Sequence, residues 1–367
     1  MDKWQKNFGK HFLALCFCLF TVVFGFKTYI SAAKGEAADE IWLKPAWIEL
    51  NSTVARKLDM KGLYSSLGLY IAEGDYVVSE AQETTTDYEY EQMADFKKYL
   101  DEKGIQLLYV NAPTKYMDDT IFERGFGIHS YSNYNADVFM KRLSEAGIAN
   151  VDLREELVED GMDVKDMFYR TDHHWTTRSG LWAAEKVSEA LNEKCGYQID
   201  LQLFNDSCFT FKEYKNCWLG EQGRKIGAGY LGLDDFTVIK PKYDMDFVLT
   251  DNAGVQQGGF DIMLDESYYV ESKEDMYSRS WHYSYLPRGI STVMIKNNNQ
   301  DHGKVLVLSD SYAQVFLPFF ALGVSEADKL VLRNYEGSLK KFIEDNDYDT
   351  VVIMYAQFMI GAHDNPD

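Results

Sequence analysis

Residues 304–323, KVLVLSDSYAQVFLPFFALG, contain a strand, a polar turn and a helix in direct succession. Residues 304–309 are almost continuously apolar, which is typical of a strand buried on both faces. Residues 312–323 are also mostly apolar, over a length that suits a buried helix. A buried strand that leads straight into a helix is the repeating unit of α/β folds with a parallel sheet.

The same alternation continues on both sides of this stretch. Downstream, the pattern predicts a strand, a helix and a strand at 329–334, 337–346 and 349–356. Upstream, it predicts a hairpin, a helix, a strand, a helix and a strand at 67–79, 84–103, 105–110, 134–146 and 148–153. We therefore predict one α/β domain over residues 67–367, with a mainly parallel central sheet. Residues 196–300, rich in aromatics, Gly and Asp, are predicted to form a large insertion.

The composition excludes several classes of protein. A hydrophobic content of 46%, with 15% aromatic residues, is too high for a disordered chain. The net charge of −21 argues against nucleic acid or anionic lipid as the main partner, because both would be repelled.

Residues 1–33 have the features of a membrane-targeting segment. Lysines precede an uncharged apolar run at residues 12–26, and residues 28–33 extend it to about 20 residues if Lys27 reaches the interface. We predict an uncleaved signal anchor in a bacterial cell membrane, with the later residues outside the cytoplasm. A cleaved signal peptide and secretion are the alternative. Residues 34–66 form a leading segment before the domain.

The cysteines indicate neither a zinc site nor a disulfide scaffold. Beyond the apolar run only Cys195, Cys208 and Cys217 remain, an odd number without C-x-x-C spacing. A single disulfide between Cys208 and Cys217 is possible.

Ser311 follows the predicted strand at 304–309 and precedes a helix. Open α/β sheets bind ligands beyond the carboxyl ends of their strands, and N–H groups at a helix start stabilise developing negative charge. The alternative is that Ser309, Asp310 or Ser311 only caps the helix. A serine nucleophile also needs a histidine base held by a third group.

The stretch FYRTDHHWTTRSG, residues 168–180, supplies the best-placed histidine. It precedes a predicted helix at 178–193, capped by Thr176 or Thr177, so residues 170–176 are predicted to be extended or turn-like. In an extended segment Asp172 and His174 share one side, so Asp172 can orient His174 as the base for Ser311. His173 then points away and is predicted to make structural hydrogen bonds.

A metal site is the competing interpretation of the same stretch, since Asp and His are common ligands. Two points argue against it. Neighbouring histidines diverge in a strand, and no H-E-x-x-H motif or Cys cluster supplies further ligands.

The segments YRTDHHWTTRSG and VLVLSDSYAQVFLPFFA together resemble the bacterial DHHW family, which is related to the alginate O-acetyltransferase group of the SGNH-hydrolase superfamily. The segments EGDYVV, VNAPTK, WLGEQGRKIGAGYLGLDDFTVIKP and KLVLRNYEGSLKKFIEDNDYDTVVIMYA agree in order, so the resemblance covers nearly all of residues 65–357. It implies a three-layer, SGNH-hydrolase-like sandwich around the sheet.

The resemblance also implies a catalytic triad of Ser311, His174 and Asp172. The implied function is an extracytoplasmic O-acetyltransferase that acts on a polysaccharide through an acyl-serine, often beside a membrane-bound O-acyltransferase partner. It needs no metal or organic cofactor, and the acyl donor is a co-substrate. The alternatives are an O-acetylesterase that uses the same triad, or a non-catalytic glycan-binding accessory protein.

Residues around the triad are weaker candidates. For the oxyanion we name the Tyr312 N–H, with Asn111 and Gln357; Ser309 departs from the glycine found in many relatives at that position. The candidates for substrate contact are Trp175, Trp218, Arg224, Lys225 and Arg333. For the two tryptophans the alternative is core packing, and for the basic residues it is a solvated surface or an ion pair.

Overall fold

The computed structural model describes residues 44–269, 276–277, 279–289 and 291–361, with six separate positions between residues 12 and 23. The predicted signal anchor at residues 1–33 therefore lies almost wholly outside the described residues. Residues 34–43 of the leading segment also lie outside the described residues. No helix within the described part of the chain is long and apolar enough to cross a membrane.

The described residues form twelve strands: β1 (Tyr70–Ile71), β2 (Val77–Val78), β3 (Gln106–Ala112), β4 (Ala149–Asp152), β5 (Phe209–Trp218), β6 (Asp234–Pro241), β7 (Phe247–Asp251), β8 (Gly254–Gly258), β9 (Thr292–Asn297), β10 (Lys304–Ser309), β11 (Glu326–Leu330) and β12 (Thr350–Ala356). The helices are α1 (Lys44–Lys57), α2 (Asp87–Lys103), α3 (Thr120–Phe126), α4 (Ser132–Glu145), α5 (Leu153–Glu159), α6 (Val164–Met167), α7 (Thr177–Cys195), α8 (Glu221–Ile226), α9 (Ala228–Leu231), α10 (Ala313–Phe320) and α11 (Leu339–Asn346).

The central sheet has eight strands in the order β4-β3-β12-β10-β11-β9-β7-β8. The strands from β4 to β11 are parallel, as the alternation of strands and helices predicts. The strands β9, β7 and β8 extend the sheet in antiparallel fashion. They come from residues 196–300, so much of the predicted insertion is part of the sheet. Strands β5 and β6 from the same stretch pair with each other and not with this sheet.

The sheet separates two hydrophobic layers, because neighbouring strand residues point to opposite faces. On β10, Val305 and Val307 face the layer formed with α7 and α10. Leu306 and Leu308 face the other layer, where α2, α4 and α11 pack. Helices on both faces of one sheet give the predicted three-layer arrangement.

Strand β11 lies earlier than the sequence predicts. The predicted strand at 329–334 begins instead at Glu326, and residues 332–334 form a 3-10 turn. The shift has a physical cause: Asp328 and Lys329 are buried in this strand, 2% and 1% exposed. Charged residues that are buried break the apolar run from which a buried strand is recognised.

A close helix contact brings the two sequence motifs together. Helix α7 follows the histidine motif and α10 follows Ser311, and they touch at Gly180. A Cβ at Gly180 would lie 2.5 Å from the carbonyl oxygen of Val315, so only glycine permits this approach. The starts of both helices are thereby held next to each other, at the carboxyl end of β10.

Candidate active site

The turn that carries Ser311 lies between β10 and α10. Asp310 fixes this turn, since its buried carboxylate accepts hydrogen bonds from the N–H groups of Tyr312 (2.8 Å) and Ala356 (2.9 Å). Ser311 itself is half-buried. The turn therefore presents the Ser311 hydroxyl at the edge of the sheet where α/β proteins bind ligands.

The DHHW loop, residues 168–175, is bent, which agrees with the turn-like alternative predicted for residues 170–176 and not with the extended one. An antiparallel bridge between Phe168 and Trp175 closes the loop. Within it, the Asp172 carboxylate accepts a hydrogen bond from the backbone N–H of His174 at 3.0 Å, which is an Asx turn. This turn, and not the alternation of a strand, brings the side chains of Asp172 and His174 together.

The structure places Asp172, His174 and Ser311 in one line of hydrogen bonds. The Nδ1 atom of His174 lies 2.6 Å from Oδ1 of Asp172, and its Nε2 atom lies 2.7 Å from Oγ of Ser311. Asp172 and His174 are buried, so solvent does not compete for these contacts. Sequence reasoning predicted this set of three residues.

The charge of Asp172 decides the tautomer of His174. Burial opposes ionisation, but the charge and hydrogen bond of His174 hold the pKa of Asp172 well below its usual range. An ionised carboxylate only accepts hydrogen bonds, so Nδ1 of His174 carries a proton. In the neutral ring, Nε2 then accepts the hydrogen bond that the Ser311 hydroxyl donates.

The start of α8 supports Asp172 from the other side. The N–H of Glu221 donates to Oδ2 of Asp172 at 2.6 Å, and the N–H of Gly220 donates to the Thr171 hydroxyl at 2.7 Å. That hydroxyl donates in turn to Asp234 at 2.6 Å. Sequence reasoning missed this support, because backbone donors have no residue signature; the glycines of WLGEQGRKIGAG were the available signal.

Lys115 connects β2, the DHHW loop and α8 through hydrogen bonds. Its buried ammonium donates to the carbonyls of Val77 (2.7 Å) and Arg170 (3.1 Å) and to the side chain of Gln222 (3.0 Å). Burial lowers the pKa of Lys115 to about 7, although the charges of Asp172 and Asp234 oppose this shift. With three acceptors already in place, Lys115 stabilises the loops that carry the site.

His173 does not point away from His174 as the sequence predicts, since the two ring centroids lie 3.8 Å apart. Burial and the charge of His174 lower the pKa of His173, which makes it neutral near pH 7. Its backbone carbonyl accepts a hydrogen bond from the Tyr312 hydroxyl at 2.7 Å. His173 thus connects the DHHW loop with the turn that carries Ser311.

The same three residues are the candidates for the alternative, a metal site. Ligand atoms of Asp172, His173 and His174 lie within 4.8 Å of one another, a spacing that suits a metal ion. A shared ion would have to displace existing bonds, because both ring nitrogens of His174 already contact Asp172 or Ser311. The geometry therefore favours a hydrogen-bonded relay over a shared ion.

His282 is a site residue that sequence reasoning missed. Its ring stacks on His174 with centroids 3.7 Å apart and an interplanar angle of 16°. Its Nε2 atom lies 2.9 Å from the backbone carbonyl oxygen of Ser311. The sequence offers little signal here, because His282 lies 108 positions after His174 and has no acidic neighbour.

The predicted oxyanion donors are all engaged in other hydrogen bonds. The Tyr312 N–H donates to Asp310, the Asn111 amide donates to Asp152 at 3.0 Å, and the Gln357 amide donates to Ser132 (2.8 Å) and Asn133 (2.9 Å). By contrast, the N–H of Ser311 has no partner among the described residues. Ser309 is fully buried, and within the described structure its hydroxyl also has none.

The two tryptophans named as substrate contacts lie in the core. Trp175 and Trp218 are both 0% exposed, so neither can stack on a sugar in this structure. Trp175 donates from its indole to the Tyr312 carbonyl at 3.0 Å and so supports the nucleophile turn. Trp218 packs edge-on against Tyr169 and Phe236.

Arg224 and Arg333 lie near the site through Tyr283. Burial raises the pKa of the Tyr283 phenol, and Asp172 and Glu221 add to this, whereas Arg333 and Arg224 oppose it. The ring of Tyr283 lies 6.2 Å from that of His174, edge-on. Arg224 is half-buried and donates to the Tyr277 carbonyl at 3.4 Å, and Arg333 is exposed.

A cleft of about 810 Å³ opens beside the triad, bordered by His173 and Tyr312. Phe358, 42% exposed, contributes an aromatic face to it. Carboxylates outnumber lysines along its walls, and we call it the acidic cleft: Glu80, Glu83, Asp119 and Glu221 against Lys115 and Lys225. Lys225, a predicted substrate contact, is offset by Glu221 at 3.3 Å.

The Cys208–Cys217 disulfide is absent, and both thiols are free. Cys208 precedes β5 and Cys217 lies near its far end, which separates them by roughly 25–30 Å at the rise of an extended strand. A disulfide requires Cα atoms within about 7 Å, so these two cysteines cannot pair in this fold.

Comparison with known proteins identifies the fold. Residues 69–207 match the family model of the SGNH hydrolase-like domain of acetyltransferase AlgX. This match contains Asp172 and His174 but ends before Ser311. No curated protein matches the chain.

Solved structures show the same fold over most of the chain. Bacillus cereus PatB1 is 20% identical, with a TM-score of 0.63, over 80% of this chain and 96% of PatB1. A second PatB1 structure, with a sulfonyl adduct, gives 19% and 0.61 over 80% and 97%. A DHHW family protein from Eubacterium siraeum gives 18% and 0.59 over 80% and 91%. The resemblance predicted from the two motifs is confirmed: residues 69–207 match an SGNH hydrolase-like domain, and the fold is shared with a DHHW family protein.

Proposed function

We propose that the protein is an extracytoplasmic O-acyltransferase that moves an acetyl group to a hydroxyl of a cell-surface or exported polysaccharide. The observation that carries this proposal is the line of hydrogen bonds from Asp172 through His174 to Ser311. The match to an acetyltransferase-related domain and the fold shared with PatB1, which forms a sulfonyl adduct, support it.

The geometry defines a role for each group. Ser311 Oγ attacks the carbonyl carbon of the acyl donor while its proton passes to Nε2 of His174. Ionised Asp172 stabilises the imidazolium that forms, and the Ser311 N–H, which has no partner among the described residues, stabilises the oxyanion. His174 then gives its proton to the leaving group, which leaves an acyl-serine.

The second half of the reaction regenerates the enzyme. A glycan hydroxyl in the acidic cleft loses its proton to His174 and attacks the acyl-serine, and Ser311 recovers the proton as the ester leaves. The acyl donor is a co-substrate, and no step requires a metal or an organic cofactor. We include in the proposal a signal anchor at residues 1–33 and a membrane-bound O-acyltransferase that delivers the acyl group.

An acetyl-transfer assay tests the proposal. Purified protein is given 4-nitrophenyl acetate and a neutral oligosaccharide, and mass spectrometry measures the acetylated sugar. Ser311→Ala should reduce the product by about 10³-fold or more, because the nucleophile is lost. Ser309→Ala is the matched control: its hydroxyl is buried and has no partner within the described structure, so activity should persist.

Three other outcomes would replace the proposal. Acetate release that depends on Ser311 without acetylated sugar identifies an O-acetylesterase. Sugar binding with no reaction of Ser311 identifies an accessory protein. One transition metal per chain by elemental analysis, with activity lost on chelation, identifies a metal site at Asp172 and the neighbouring histidines.

A further inference from the structure

His282 is buried against the site but takes no part in the proposed proton transfers. It lies in the 3-10 turn Trp281–Ser284 and is 0% exposed. A buried histidine that only fills the core would need neither the stacked ring of His174 nor a polar contact at Ser311. His282 has both, with a centroid distance of 3.7 Å and a hydrogen bond of 2.9 Å.

The hydrogen bond to the Ser311 carbonyl determines which ring nitrogen of His282 carries the proton. A carbonyl oxygen only accepts, so Nε2 of His282 carries the proton and donates it to the Ser311 carbonyl. The other nitrogen, Nδ1, is buried and has no partner among the described residues. Burial, with the charge of His174, holds the pKa of His282 well below its usual range, so the ring is neutral. Such a ring can hold the site but is not arranged to relay a proton.

The peptide unit between Ser311 and Tyr312 is held at both ends. Its carbonyl accepts from His282 at 2.9 Å and from the N–H of Gln314 at 3.1 Å, and its N–H donates to Asp310 at 2.8 Å. Rotation of this unit would turn the Ser311 side chain, so these bonds together set the direction of its hydroxyl, and His282 supplies the one that comes from a side chain packed on His174. Because the same His282 ring lies flat on His174, it also limits the tilt of the base.

We propose that His282 is a positioning residue that holds the nucleophile Ser311 and the base His174 in place relative to each other. The proposal rests on the proposed function for the roles of those two residues. Its donor nitrogen fixes the peptide of Ser311, and its ring face fixes His174. Without it, the Ser311 carbonyl keeps only the Gln314 N–H and the His174 ring loses its stacked neighbour, so the 2.7 Å contact between Nε2 and Oγ is less constrained on both sides.

Two variants separate the donor from the ring. His282→Phe keeps a stacking face without the donor, and His282→Gln keeps a donor without the ring. We expect the kcat for 4-nitrophenyl acetate to fall about 10- to 100-fold in His282→Phe, the loss typical of a misplacement near 1 Å, with KM little changed. His282→Gln should recover part of this loss. His129→Phe is the control, since His129 is on the surface beside Glu123.

The same variants are compared for the rate at which a sulfonyl fluoride labels Ser311, with melting temperature as the check on folding. A folded His282→Phe protein with wild-type kcat and labelling rate overturns the proposal. Equal losses in both variants, with a collapsed melting temperature, reduce His282 to a core residue and also overturn it.

The structure of His282→Phe supplies a readout that does not depend on activity. The proposal predicts that the distance from His174 Nε2 to Ser311 Oγ lengthens beyond about 3.2 Å, the limit of a good hydrogen bond. An unchanged distance contradicts positioning even if the wild-type protein proves inactive. An inactive wild-type protein in which the distance does lengthen contradicts the proposed function alone.

Discussion

Replacing Gly220 with alanine should damage the site although it leaves the identity of all three proposed catalytic residues unchanged. The backbone at Gly220 (φ −67°, ψ 172°) is one that alanine adopts readily, so the effect comes from space alone. A Cβ at this position would lie 2.4 Å from Cβ of Asp172 and 2.6 Å from its backbone nitrogen.

The size of the effect follows from these distances. Ordinary contact between carbon atoms begins at about 3.5 Å, so the start of α8 and the DHHW loop must separate by about 1 Å. Overpacking of this kind costs about 1–3 kcal/mol of stability. The separation also stretches the 2.6 Å bond from the Glu221 N–H to Asp172, which orients the carboxylate. A shift of 1 Å in a catalytic group lowers activity by about 10²-fold, which is the loss we expect in kcat/KM.

The assay compares Gly220→Ala with Gly125→Ala for ester hydrolysis and urea unfolding. Gly125 lies within α3, where an added Cβ would meet nothing within 4 Å, so alanine there should stabilise the helix by about 0.5–1 kcal/mol and leave activity intact. If Gly220→Ala retains wild-type kcat/KM, the idea that α8 orients Asp172 is refuted.

Three further predictions concern charge. Asp172→Asn should lower kcat by about 10³- to 10⁴-fold with little change in KM, because the amide no longer fixes the tautomer or stabilises the imidazolium of His174; a loss below tenfold in steady-state kinetics would count against that role. Burial lowers the pKa of Lys329 to about 7 from 10.5, so the unfolded chain binds more protons between these values and stability rises with pH. Between about pH 7.5 and 9.5, the free energy of unfolding measured by urea titration should therefore rise with pH about 1.4 kcal/mol per pH unit more steeply in the wild-type protein than in Lys329→Met. The same pH dependence in both proteins would contradict this. The acidic cleft should favour a neutral oligosaccharide over an oligouronate by about tenfold in kcat/KM at low ionic strength, with the gap closing in salt, and equal values would show that the acceptor binds elsewhere.

The strands of the central sheet differ in how well the local sequence predicts them. Strands β10 and β12 are recognisable because their residues are almost uniformly apolar and both faces are covered. Strand β11 is hidden by Asp328, whose buried carboxylate is bonded to the Tyr348 hydroxyl at 2.7 Å and to a backbone N–H. Only the fold supplies these partners, so a local pattern cannot predict that a charged residue belongs in the core.

The candidate active site shows the same limit, because some of its contacts are supplied only by the fold and not by the local sequence. The pairing of Asp172 with His174 could be predicted from their spacing, but the reason is an Asx turn and not a strand. His282 could not be predicted, because its contact with His174 depends on how distant loops fold together. The aromatic pattern misled at Trp218, where the fold buries a side chain that the sequence suggested for a sugar.

Covalent labelling of Ser311 tests the central claim most directly. Intact-mass and peptide mass spectrometry after treatment with a sulfonyl fluoride should show a single adduct on Ser311 in the wild-type protein and in Ser309→Ala. Labelling should be lost in Ser311→Ala and slowed by at least about 10²-fold in His174→Ala, because general-base assistance from His174 is absent. A wild-type protein that stays unlabelled, or whose adduct lies on another residue, would contradict the account.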